Sequence, residues 1–204
     1  MKQTIIVCLL IFFSSRAMAQ EFPSDLWHDG IVVLVSEDTL VGKVKYNMDQ
    51  DLVQIDTDNK ILTYSSQKVF YFQIFDKTVG SYRQFYTLPY ALVNQYEAPI
   101  IFEVLVEGTL TLLGREAIVL KTVSDNNPYR YNSRMTYSVE ELVYTYFFLD
   151  VKGNITLYTM KKRDLMQALT KRWNKVDEYM NINHLRADKR IDLVRIISFY
   201  NGIL

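Results

Sequence analysis

Two histidines, one cysteine and 23 carboxylates limit the chemistry open to this chain of 204 residues. His28 and His184 stand far apart, with none of the H-x-x-x-H or H-E-x-x-H spacing that sets two imidazoles on one helix face for zinc. No G-x-S-x-G turn offers a serine nucleophile. Both histidines therefore read as surface or capping residues. Asp49 and Asp51, and Asp56, Asp58 and Asn59, resemble pieces of a calcium loop. That loop needs a ligand at its fifth position and a glycine at its sixth. Counted from Asp56 these fall on Lys60 and Ile61, so the carboxylates read as hairpin turns. Glu103 and Glu107 share a face of one strand, and a carboxylate pair can do acid–base work. An exposed edge, or an ion pair with Arg115 across the hairpin, is the simpler account. The seven glycines form no phosphate loop. No cofactor is expected, and the balance is against an enzyme. A hydrolase using Glu103 and Glu107 is the remaining catalytic alternative.

Aromatic residues carry the other signal. Tyr129, Tyr131, Tyr137, Tyr144 and Tyr146 gather around a polar stretch, Ser124 to Ser133, and the strand after it. Tyrosine makes flat amphipathic contacts with proteins and sugars, so these five form the expected partner-binding surface. Basic groups at 161–163 and 171–172 could touch anionic lipid, which would allow peripheral membrane association. They alternate with acids, however, and read as solvated helix faces.

The elements that must position these residues are mostly strands. The central stretch is Pro99 to Leu120, two apolar runs split at Glu107-Gly108, which predicts a β-hairpin with both faces covered. Before it, short strands are predicted at 31–35, 40–46, 52–55, 61–64, 69–75 and 82–88, the last ended by Pro89. Gly42 suggests a bulge or bend. This spacing resembles that of small SH3-like barrels. A second hairpin is predicted from 141–149 and 154–160 around Asp150 to Gly153, and an Asn-x-Thr sequon at Asn154 falls in that turn. From Lys161 the period becomes helical: Leu165, Leu169, Trp173, Val176 and Met180 make one stripe. Asp188 is the expected N-cap of a second helix ending at Asn201-Gly202. The fold class is thus mainly β, antiparallel and barrel- or sandwich-like, with two C-terminal helices, α+β overall. The expected division is a signal peptide at 1–19, a β-rich domain at 20–160 and a packed helical pair at 161–204.

The N-terminus reads as an export signal: Lys2, an apolar run from Thr4 to Phe13, and Ala17-Met18-Ala19 as the cleavage site before Gln20. The run is too short to span a bilayer as a helix. Cys8 would leave with the signal, so the mature chain would hold no disulfide and no thiolate site. The mature chain would be nearly neutral, and nucleic acid is not an expected partner. Residues 161–195 carry a net charge of +5 against −7 for the rest of the mature chain.

Several stretches resemble exported proteins of Bacteroidota bacteria: Gly30 to Val35, Asp38 to Tyr46, Phe102 to Leu113, and Arg190 to Asn201. The resemblance implies a periplasmic or cell-envelope address and no catalytic motif. Together these readings predict an exported, non-enzymatic binding or interaction module whose partner is another envelope protein. An outer-membrane β-barrel is the structural alternative.

Overall fold

A computed structural model describes residues 21–58, 60–91, 97–124 and 136–204. The expected signal peptide and most of the polar stretch, with Tyr129 and Tyr131, lie outside the described residues.

Among the described residues, ten antiparallel strands form one sheet. They are β1 (His28–Leu34), β2 (Thr39–Asn47), β3 (Leu52–Thr57), β4 (Lys60–Ser65), β5 (Val69–Asp76), β6 (Ser81–Tyr90), β7 (Ala98–Val106), β8 (Leu110–Ser124), β9 (Thr136–Asp150) and β10 (Ile155–Tyr158). Their order is β10-β9-β8-β7-β6-β5-β1-β2-β3-β4, so the sheet is open at β10 and β4. The first four strands are a meander, and β5 returns to pair with β1. Pro89 does not end β6. It pairs with Pro99 near the end of the β6–β7 ladder, where a missing N–H costs least.

Alternation of side chains sorts the sheet into two faces. One row of cross-strand neighbours runs Val32, Phe72, Phe85, Glu103, Gly114 and Tyr146 along the inner face. Its two apolar ends belong to separate cores. Val32, Tyr46, Ile55, Phe72 and Phe85 pack where β1 to β6 curl over themselves. Leu112, Tyr146, Phe148 and Tyr158 are covered by helices. Gly30 and Gly42 face each other on β1 and β2. A Cβ at either would overlap the carbonyl of the next strand, Gln73 or Asp56. Gly42 thus marks a tight approach of strands in an unbroken ladder rather than a bulge. The bulge sits instead at Leu105, between the pairs Val104–Leu113 and Val106–Leu112.

Three helices follow: α1 (Lys162–Ala168), α2 (Trp173–Ile182) and α3 (Arg190–Gly202). The stripe expected on one helix is present, with Leu165, Leu169, Val176 and Met180 buried. A 3₁₀ turn at Thr170–Arg172 divides it between α1 and α2. The N-cap of α3 is Lys189 with no side-chain cap, while Asp192 accepts from the Arg186 N–H at 3.0 Å. No described helix is long and apolar enough to cross a membrane.

Candidate functional site

Where the two inner cores meet, the sheet buries charge. Arg83 of β6 stands two residues before Phe85 and so points inward with it. All five guanidinium N–H donors are used. Nε and Nη2 donate to the two oxygens of Glu103 at 2.8 Å each, and Nη2 also donates to Glu116 at 2.8 Å. Nη1 donates to the Tyr46 hydroxyl at 2.8 Å and to Asp76 at 3.1 Å. The Tyr46 hydroxyl donates in turn to Glu116 Oε1 at 2.6 Å. From α3, Arg190 donates to Glu103 Oε1 at 2.9 Å and lies over the Tyr144 ring, 4.5 Å from its centre.

Ionisation follows from these contacts. Burial opposes the charge on Arg83, but the Glu103 hydrogen bonds and the surrounding acids outweigh it and raise its pKa. Burial raises the Tyr46 hydroxyl far above its ordinary range, so it stays a neutral donor. Burial also works against the Asp76 carboxylate. Hydrogen bonds from Thr78, at 2.6 Å from its hydroxyl, and from Arg83 reverse that and hold the pKa below the usual value. The hub is an ion network in which each carboxylate accepts at least one hydrogen bond from Arg83.

This placement corrects the carboxylate pair expected from sequence. Glu103 is buried against Arg83 and Arg190, whereas Glu107 is exposed in the β7–β8 turn. The bulge at Leu105 inserts a residue between them and breaks their shared alternation. Arg115 does not pair with Glu103 either. It binds Asp51 at 2.8 Å and the Ile101 carbonyl at 2.6 Å, and it also donates to the Met48 carbonyl. Asp51 accepts from the Ile101 N–H at 2.8 Å. The β2–β3 turn is therefore pinned into the gap where β8 leaves β7 beyond Gly114. His28 is not a surface residue: it is 2% exposed, its Nε2 is 2.7 Å from the Pro23 carbonyl, and its ring lies beside Tyr46. His184 is exposed, in a left-handed turn after α2.

The described members of the tyrosine set do not form one surface. Tyr137 points outward and is 53% exposed. Tyr144 and Tyr146 lie on the opposite, inner face; Tyr144 is half-buried under Arg190, and Tyr146 is 3% exposed in the helix-covered core. Strand alternation explains the split, since the outward phase of β9 continues from Tyr137 through Val139 and Val143 to Phe147. Tyr129 and Tyr131 lie outside the described residues.

Two features border the hub. From Arg115–Thr145 to Ser124–Thr136, β8 and β9 pair with each other over ten residue pairs and with no third described strand. This ribbon exposes Val119, Leu120, Tyr137 and Val139, with Leu120 at 74%. At its base a cleft of about 250 Å³ opens between Ser24-Asp25, the β2–β3 turn and the ribbon, and reaches Tyr46 and Glu116.

Sequence reasoning missed Arg83, Glu116, Asp76, Tyr46 and Arg190. The signal available was phase: Glu116 takes the inward position between Gly114 and Ile118 of an apolar run, and Arg83 the inward position two before Phe85. A comparison with family models, curated proteins and solved structures finds no match to this chain.

Proposed function

We propose that this chain is an exported, non-enzymatic interaction module that receives an extended strand of a partner protein along the β8–β9 ribbon. The observation that carries this reading is the ribbon itself. An isolated two-stranded ribbon is marginal in water, and its unpaired edge is a template for another strand. The outer edge of β9 continues the edge that β10 already occupies at Tyr146 to Leu149, so an incoming strand would extend an existing ladder. Exposed Leu120, Tyr137 and Val139 supply side-chain contact on both sides of that edge.

The hub speaks against the hydrolase alternative. The hydrolase alternative needs Glu103 and Glu107 to act together on one substrate, and here Glu103 is held by Arg83 and Arg190 while Glu107 is exposed in the β7–β8 turn. An outer-membrane barrel needs a closed strand order and an apolar outer band. Here the order ends at β10 and β4, and the outward phase of β1, β2, β5 and β6 includes Asp29, Lys43, Gln73 and Gln84.

A photoreactive residue at position 139, introduced in the producing cells, tests the docking edge. The expected result is one discrete crosslinked species that a Tyr137→Lys change removes, with position 41 as an outward control. A species of twice the chain mass would assign the edge to a second copy. Equal crosslinking at 139 and 41 would sink the reading. The mass of the mature N-terminus tests export separately: a chain beginning at Gln20 is expected, and one beginning at Met1 would overturn it.

A further inference from the structure

The hub is not neutral. Among the described residues, Asp76, Glu103 and Glu116 face two guanidiniums, Arg83 and Arg190. Tyr46 contributes no charge, so one negative charge is left over in a buried place, where uncompensated charge is costly. Glu116 forms part of the wall of the cleft at the ribbon base. Each of its carboxylate oxygens accepts one hydrogen bond, from Tyr46 and from Arg83, which leaves acceptor capacity on both. The remaining charged residues lining the cleft are Asp25, Asp49 and Lys45, so the opening is acidic on balance. Ile118 and Leu142 give it an apolar side. Its volume of about 250 Å³ exceeds the ~150 Å³ of an engineered apolar cavity that admits benzene. Among the described residues no three carboxylates or imidazoles converge as metal ligands. A bare metal ion would therefore find too few donors, while an ion carrying carbon could use the apolar side.

We propose that this cleft binds a small organic ammonium ion, its cationic head against Glu116 and its alkyl part against Ile118 and Leu142. The proposal needs no partner on the ribbon.

Calorimetric titration of the full-length mature chain with butylammonium, and with 1-butanol as the neutral isostere, tests it. Saturable binding of butylammonium is expected, with 1-butanol at least about tenfold weaker, the loss that goes with a charge-assisted hydrogen bond. Calcium chloride should give no saturable heat. Glu116→Gln is expected to weaken butylammonium about tenfold by the same measure. Because that change disturbs the hub, Ile118→Trp serves as the second variant: it fills the cleft, leaves every hub contact in place, and should abolish binding while the melting temperature holds. Equal affinity for butylammonium and 1-butanol would overturn the charge assignment. Binding that survives Ile118→Trp, or no butylammonium binding at all, would overturn the site.

Discussion

At the scale of single residues the molecule turns on Arg83. Its planar fork addresses Glu103 and Glu116 through Nε and Nη2, and Tyr46 and Asp76 through Nη1, a geometry that an ammonium cannot reproduce. Arg83→Lys should therefore destabilise the fold although charge is kept. Arg83→Met should cost more, about 3–5 kcal/mol, because it strands buried carboxylates. Chemical denaturation of both variants checks the order; a Lys variant as stable as the parent would reduce the hub to charge balance. The hub also sets an acid limb. The pKa of Asp76 is depressed in the fold from its ordinary 3.8, so its contribution is full above 3.8 and is lost as pH falls from there through the folded value. Asp76→Asn should lower stability at neutral pH and flatten its decline below about pH 4. The alkaline limb runs the other way. Burial pushes Tyr158 up to about 12 from 10.0. Its contribution is therefore full below the unfolded value and lost as pH rises through the folded one. Tyr158→Phe should shift alkaline unfolding upward. None of these roles could be read from residue type alone. A Glu or Arg at the inward phase of a strand is visible in the sequence, but its partners, 7 to 87 residues away, are set by curl and register.

Elements were more legible, because periodicity reports the face that each buries. The apolar run at 31–35, the alternation in 40–46 and the 3.6-residue stripe from Leu165 to Met180 all reflect burial directly. What periodicity could not show is how an element is fastened. Asn201 was legible only as a helix-stop residue. Its side chain instead pairs with β8 as a strand would: Nδ2 donates to the Leu110 carbonyl at 2.9 Å, and Oδ1 accepts from the Leu110 N–H at 3.0 Å. Gly108 makes the room, since a Cβ there would overlap the Asn201 amide. Asn201→Ala should cost about 1–3 kcal/mol, the penalty of unsatisfied polar groups. Gly108→Ala should act through the same contact. The double variant is then expected to be less destabilised than the sum of the two single changes. Additive losses, measured by thermal unfolding, would show that the two positions do not share one clamp.

For the whole molecule, the decisive fact is that one sheet face closes in two ways. Toward β1 to β4 it curls onto itself; toward β8 to β10 it is covered by α1, α2 and α3. The polar hub lies on the seam, and the β2–β3 turn crosses it through Asp51, Arg115 and Ile101. The sequence foretold a β-rich body and an appended helical pair, yet gave no sign of this seam. It is built from contacts of β2 and the β2–β3 turn with β8 that lie more than fifty residues apart. The seam predicts how the protein melts. Trp27 stands just before β1, at the curled side, whereas Trp173 packs against the helix-covered core. Chains keeping only one tryptophan, by Trp27→Phe or Trp173→Phe, should give coincident thermal transitions, because the hub and the turn couple the two halves. Adding Asp51→Ala and Arg115→Ala together removes the turn's ion pair without leaving either charge unpaired. It should separate the transitions, with the Trp27 side melting first, since α1, α2 and α3 pack on the core of the other side. Transitions that stay superimposed after the double change would mean that the continuous strand ladder, rather than the polar seam, makes the two halves fold as one.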